Sequence, residues 1–155
     1  MYYFAYGSNM EHNQMLKERC IGATFLGPAR LPGFWFVFDG FSPRWKGAMA
    51  NIVPSQDDEV WGGLFEITEN HLRSLDAYLN CPKHYTRSVF EVERPGTKER
   101  VKAWIYLREP QAAGFPSKGY LAAVLKGARD CILPQSYIDL AIKPHLPKEK
   151  LPSLE

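Results

Sequence analysis

The residues best placed to do chemistry stand at positions 6–10, Tyr6-Gly7-Ser8-Asn9-Met10, where a short aromatic run breaks off. Gly7 lets the backbone turn sharply or approach a ligand with no side chain in between. Ser8 and Glu11 have the S-x-x-E spacing of a capping box, so Ser8 is expected to start a helix running from Met10 to Cys20. A chain that leaves a strand through Gly-Ser-Asn into a helix aims several unpaired backbone N–H groups at one spot. Such a spot suits a carboxylate, a phosphate, or the oxygen of a carbonyl under attack. An ordinary tight turn with a capped helix fits the same pattern, and the residues alone leave both readings open.

The rest of the chain must position that turn. Tyr2 to Tyr6 has the composition of a buried strand. Thr24–Leu31, interrupted at Gly27-Pro28, and Phe34–Asp39 are read as strands with Pro32-Gly33 as the turn between them. Phe34, Phe36 and Phe38 alternate with Trp35 and Val37, so both faces of the second strand are apolar and deep burial is expected. Ala48–Val53 and Val60–Ile67 read as two more strands joined by a polar Pro54–Glu59 turn. The small residues Gly47, Ala48, Ala50, Gly62 and Gly63 leave room for either a ligand or close strand packing.

Thr68 caps a helix to Leu79, whose Leu72, Leu75 and Leu79 form one apolar stripe, and Pro82 ends it. Tyr85–Glu93 and Arg100–Leu107 form a hairpin across Arg94-Pro95-Gly96-Thr97. Ser117 caps a helix over Lys118–Asp130, and Pro134 opens a last short helix to about Lys143. The pattern predicts one α+β domain over residues 1–143, with 144–155 as a loose Pro- and Lys-rich tail.

Composition excludes several function classes. The chain has 155 residues, 45% of them hydrophobic, which suits one well-cored domain and not two. A net charge of +2 with both signs interspersed gives no nucleic-acid or membrane surface. No basic segment precedes a long apolar core, so no signal peptide is expected, and no run has the ~18 apolar residues of a membrane span. Cys20, Cys81 and Cys131 are odd in number and lack C-x-x-C spacing. That predicts reduced thiols in a cytoplasmic protein and argues against zinc or a disulfide framework. No pattern calls for a metal, nucleotide or flavin, so no cofactor is expected.

Tyr3-Phe4-Ala5-Tyr6-Gly7-Ser8-Asn9-Met10 resembles the signature of the γ-glutamylcyclotransferase (AIG2-like) family, whose Y-G-S-N loop binds the glutamyl end of the substrate. Gly47-Ala48-Met49-Ala50-Asn51-Ile52 followed by Val60-Trp61-Gly62 is similar to that family's G-x-A-x-I…V-W-G pattern. Leu75-Asp76, Tyr85, Pro116-Ser117-x-x-Tyr120, Gly127-Ala128 and Leu133-Pro134-x-x-Tyr137 continue the likeness in the same order along nearly the whole chain. The resemblance implies a small mixed β-barrel with helices around it. It also implies cleavage of a γ-glutamyl bond without water: the substrate's α-amino group attacks its own γ-carbonyl, giving 5-oxoproline and a free amine. The partner implied is a small γ-glutamyl or carboxylate compound, bound by a monomer or homodimer, and the binding candidates are Tyr6, Gly7, Ser8, Asn9, Met10, Tyr85 and Tyr120.

Such a reaction needs a base for the α-ammonium, N–H donors for the γ-oxygen, and a pocket that curls the glutamyl chain. In the family the base is a Glu three residues after the L-D aspartate. Here Leu75-Asp76-Ala77-Tyr78-Leu79 puts Leu79 at that position, and leucine takes no proton. Glu66, at the end of the preceding strand, is the alternative carboxylate. Asp76 is expected to be structural. Cys81 and His84, spaced C-x-x-H, are a further nucleophile–base or relay candidate. Tyr6, Tyr85, Tyr106 and Tyr120 are too weakly basic at neutral pH to deprotonate an amine unaided, but can hydrogen-bond one.

Overall fold

The computed structural model describes residues 1–145. β1 (Tyr2–Ala5), β2 (Thr24–Ser42), β3 (Gly47–Glu66), β4 (Thr86–Glu93) and β5 (Arg100–Leu107) close into a barrel in the order β1-β3-β2-β4-β5. The expected mixed barrel is therefore present. β1 lies antiparallel to β3, with Tyr3 opposite Phe65, and parallel to β5, with Tyr3 opposite Trp104. The closing seam between β2 and β4 is a single pairing of Arg30 with Glu93, fastened by an ion pair of 2.6 Å.

Two long strands replace the four expected between Thr24 and Ile67. Pro32-Gly33 is a bulge inside β2, not a turn, and Gly33 takes φ +86°, open to glycine. The pairing jumps from Phe34–Pro54 to Pro32–Glu59, so residues 55–58 have no partner on β2 although β3 runs on through them. A proline cannot donate to a ladder and therefore tends to mark a bulge, which is why Pro32 and Pro54 read as turn signals in the sequence. Gly62 and Gly63 serve close packing: a Cβ on either would lie 2.3 Å from the Ala5 carbonyl oxygen or 2.4 Å from Cys131 Sγ.

The helices cover the barrel. α1 (His12–Gln14) continues as a wider coil through Met15–Arg19, and Glu11, not Ser8, is its N-cap. The Glu11 carboxylate accepts from the Asn13 and Gln14 amides at 3.1 and 3.0 Å and from Lys126 Nζ at 3.1 Å. Burial alone would push Glu11 up, but these bonds outweigh it and hold its carboxyl below the ordinary value. Ser8, Asn9 and Met10 are thereby released into a separate tight turn of their own.

α2 (Glu69–Tyr78) is capped by Thr68, as expected, with Leu72 and Leu75 buried on its inner face. α3 (Lys118–Asp130) is capped by Ser117, whose Oγ accepts from the Tyr120 amide at 3.3 Å. α4 (Gln135–Tyr137) continues through Ile138–Ile142 and a last turn, Lys143–His145. Ordered structure thus extends two residues into the expected tail, where the His145 ring meets Phe38 at 4.8 Å. Residues 146–155 of that tail lie outside the described residues. No helix among the described residues is long and apolar enough to cross a membrane.

A buried polar cluster stiffens the barrel interior. Arg108 and Asp39 are 4% and 2% exposed and pair at 2.9 Å. Asn51 Nδ2 donates to Asp39 Oδ2 at 3.1 Å and to the Arg108 carbonyl at 3.0 Å, while its Oδ1 accepts from the Arg108 amide at 3.0 Å. Arg108 Nη2 also reaches the Met49 and Ala50 carbonyls at 3.3 and 3.4 Å.

Candidate functional site

β1 ends at Ala5, and the chain turns through Tyr6 and Gly7 into the Ser8–Met10 turn. The turn's own backbone bonds begin with the Met10 amide to the Gly7 carbonyl and the Glu11 amide to the Ser8 carbonyl, both 3.1 Å. The amides of Gly7, Ser8 and Asn9 precede that ladder and stay outside it. Gly7, Ser8 and Asn9 line a small cavity beside the turn. Gly7 is held close to its opposite wall: a Cβ there would stand 3.0 Å from the Ala50 Cβ and 3.5 Å from Tyr120 Oη.

Tyrosines make much of the remaining wall. Tyr3, Tyr6, Tyr85, Tyr106 and Tyr120 all reach the cavity, joined by Met49, Ala50 and Leu79. Their hydroxyls are fixed by protein partners. Tyr6 donates to the Tyr106 carbonyl, Tyr85 donates to the Ala50 carbonyl at 2.8 Å, and Tyr120 accepts from the Ala50 amide at 2.9 Å. Burial pushes all five phenols above their ordinary value, and for Tyr106 a hydrogen bond to Asp76 adds to it. They are protonated at neutral pH and act as donors or packing surfaces, never as bases. Asn9 is the exception to this full satisfaction. Its Nδ2 donates to Tyr3 Oη at 3.0 Å, but its Oδ1 is buried with no partner. A buried acceptor left unpaired by protein is costly and is met by an ordered water or a ligand donor.

Leu79, at the C-terminal end of α2, lines this cavity, half-buried against the core. The base alternatives named from sequence lie elsewhere. Glu66 stands opposite Tyr2 and Thr24 at the last position of β3 and is exposed to solvent, away from the cavity wall. Met10 is likewise absent from the cavity wall, because its side chain is fully buried in the core. Asp76 is taken up by Tyr106 Oη at 2.6 Å and Arg87 Nε at 2.8 Å, a structural pair beneath the site. Burial and then the Asp76 charge push the Cys81 thiol up, so it carries no thiolate at neutral pH. No hydrogen bond among the described residues joins Cys81 to His84.

His84 lines a second cavity instead, together with Arg44, Trp45, Tyr78 and Asn80. The two cavities meet at Met49, Leu79 and Tyr85. Tyr3, Met49 and the second cavity were not singled out from sequence. Ala50 was flagged only as a small residue that makes room, and here that room is the pocket itself. Tyr3 gives no local signal, because its neighbours Tyr2 and Phe4 have the same character and only the barrel's register decides which ring turns inward.

Comparison with known proteins agrees with this architecture. Residues 3–122 match the family model described as gamma-glutamyl cyclotransferase, AIG2-like. The gamma-glutamylcyclotransferase of Mus musculus is 33% identical, with 96% of this chain and 82% of that protein covered. Its counterpart from Homo sapiens is also 33% identical, over 87% of this chain and 73% of that protein. Among solved structures, one of a gamma-glutamyl cyclotransferase superposes with a TM-score of 0.85 at 29% identity, covering 99% of this chain and 94% of that one.

Proposed function

The chain belongs to the gamma-glutamyl cyclotransferase, AIG2-like family, and from that premise we propose that it binds the γ-glutamyl group of small compounds and cyclises it to 5-oxoproline. The observation that carries the proposal is the Asn9 Oδ1, buried and unpaired beside three amides outside the turn's ladder. An acceptor next to several donors is complementary to a glutamyl end, which offers an ammonium and a carbonyl oxygen at short range. We assign the Asn9 Oδ1 to the substrate's α-amine and the Gly7–Asn9 amides to the γ-oxygen, which gathers negative charge as the amine attacks. The tyrosine wall curls the chain so that nitrogen and carbonyl meet. In the step itself the α-nitrogen bonds to the γ-carbonyl carbon, the amide C–N bond breaks, and the two protons the α-ammonium gives up end on the departing amine, which leaves as an ammonium.

A second reading, a binding module of the same fold without chemistry, is favoured by one observation. No Asp or Glu lines the cavity among the described residues, and Leu79 occupies the wall where the family resemblance implies a carboxylate. Both readings require the pocket to hold a small carboxylate. The three thiols are free and unpaired, which suits a reducing compartment, and the cytoplasm is the proposed setting.

Binding is tested by melting temperature. With 5-oxoproline or a γ-glutamyl amino acid at 100 times Kd, the expected stabilisation is ~2.7 kcal/mol. Gly7→Val is expected to abolish the shift while the domain stays folded, because its branched side chain crowds Ala50 and Tyr120 across the pocket. A wild type unmoved by millimolar γ-glutamyl compounds contradicts both readings.

A further inference from the structure

The cyclisation needs a group that takes a proton from the attacking nitrogen and returns one to the leaving nitrogen. The glutamyl cavity offers only buried, protonated tyrosines, and no Asp or Glu among the described residues lines either cavity. Arg44, Trp45, Tyr78 and Asn80 line the second cavity beside His84. His84 is the one side chain there able to both accept and donate a proton near pH 7.

Its placement fits. His84 follows α2 by six residues from the end of the helix at Tyr78, and its amide is anchored to the Asn80 carbonyl at 2.7 Å. The imidazole packs edge-on to the Tyr85 ring at 5.2 Å, and Tyr85 is part of the junction between the two cavities. No ring nitrogen of His84 is taken up by a protein partner among the described residues. The second cavity shares the Met49, Leu79 and Tyr85 wall with the glutamyl pocket, which puts His84 on the side toward which the amine portion of a γ-glutamyl compound extends when its glutamyl end sits at Asn9. We infer that His84 is the acid–base residue of this site, serving from the leaving-amine side in place of the carboxylate that Leu79 displaces, an assignment that rests on the cyclotransferase reading above.

The chemistry supports one group doing both transfers. In the tetrahedral species the attacking and leaving nitrogens are bonded to the same carbon, so one base beside the shared wall can serve both. Starting from the neutral α-amine, His84 removes the proton from the attacking nitrogen as its bond to the γ-carbonyl carbon forms, then delivers it to the leaving nitrogen as the amide C–N bond breaks. The imidazole returns to its neutral form with no net proton consumed. Burial, and then the Arg108 charge on the far side of Tyr85, hold His84 below the ordinary imidazole value. Arg44 faces the same cavity from the β2–β3 connection and Tyr78 from α2, and neither supplies a negative charge to oppose this. The residue is therefore neutral, and competent as a base, at pH 7.

The test is the pH profile of 5-oxoproline formation for wild type, His84→Gln and His84→Asn, each also in a Leu79→Glu background. Wild-type turnover is expected to fall on the acid side, below the ordinary imidazole value of about 6.5. Either His84 variant is expected to lose about 10²-fold in kcat and to lose that acid limb, while its ligand-induced melting shift persists. With Leu79→Glu present the same substitutions are expected to cost less than threefold, because the carboxylate takes over. A His84 variant that keeps the wild-type rate and acid limb overturns the inference and leaves the cyclotransferase reading intact. Absence of 5-oxoproline from both wild type and Leu79→Glu overturns that reading, and the inference with it.

Discussion

Leu79→Glu is expected to form 5-oxoproline about 10²-fold faster than wild type. A well-placed general base contributes roughly 10²–10⁴-fold. His84, acting from the adjoining cavity, supplies the lower part of that range and leaves the remainder to a carboxylate inside the glutamyl pocket. Leu79 already lines the pocket and is half-buried, so a carboxyl there is partly desolvated and its pKa rises toward the value needed to exchange a proton with an amine. The same exchange costs stability, because Leu79 packs against the core and a carboxylate in its place lacks a partner; about 1–3 kcal/mol is expected. Initial rates and a thermal melt on the same preparation separate the two effects. A folded variant no faster than wild type contradicts the proposed position of the reacting nitrogen against this wall.

Asp39→Ala is expected to give the largest loss of stability of any single side-chain truncation near the site. Asp39 pairs with Arg108 at 2.9 Å, and its other oxygen accepts from Asn51 and the Gln111 amide, both at 3.1 Å. Arg108 already has Nε and Nη1 buried without partners, so removal of Asp39 leaves an uncompensated buried cation. Breaking such a pair typically costs about 3–5 kcal/mol. At roughly 2–4 °C per kcal/mol for a domain of this size, Tm falls by roughly 6–20 °C. Binding should weaken as well, because Arg108 and Tyr85 both converge on the Ala50 carbonyl and Ala50 lines the pocket. Asp39→Ala combined with Arg108→Met is expected to recover part of the lost stability, since an apolar replacement of a buried pair removes the desolvation cost of both charges. An Asp39→Ala melt equal to wild type means that the pair contributes nothing.

Much of this could be read from the chain, and what could not has physical causes. The Thr68 and Ser117 caps, the hairpin at residues 94–97 and the strand before Gly7 are local signals, and each stands where its residues put it. The order of small motifs along the chain carried the barrel. The helix after Ser8 misled because S-x-x-E fits two geometries, and here the Glu11 carboxylate, drawn to Lys126 on α3, became the cap itself. A contact between residues 115 positions apart leaves no mark in either local pattern. The bulges at Pro32 and at residues 55–58 read as turns because proline punctuates both. The pairing that continues β2 and β3 through them is a long-range fact.

The Tyr6-Gly7-Ser8-Asn9 wall was legible, since a strand ending in Gly at a turn must leave amides free. The closure of the pocket by Tyr3 and Met49 was not, because it depends on barrel register. Glu66 was misplaced for a related reason. Both faces of β3 are buried up to Phe65, so the exposure of Glu66 is set by what covers the end of the strand and not by alternation. His84 was a candidate only through its spacing from Cys81, and that pairing is absent among the described residues; its place beside the pocket comes from the wall the two cavities share.

The central claim is that the pocket cyclises a γ-glutamyl group and does not hydrolyse it. The direct measurement is mass spectrometry of the products from a panel of γ-glutamyl amino acids incubated with wild-type protein in ¹⁸O-labelled water. Intramolecular aminolysis predicts 5-oxoproline and free amine in equal amounts, with no label in the new ring carbonyl, because no water enters the bond-breaking step. Labelled glutamate, or no product from wild type and from Leu79→Glu alike, would contradict it.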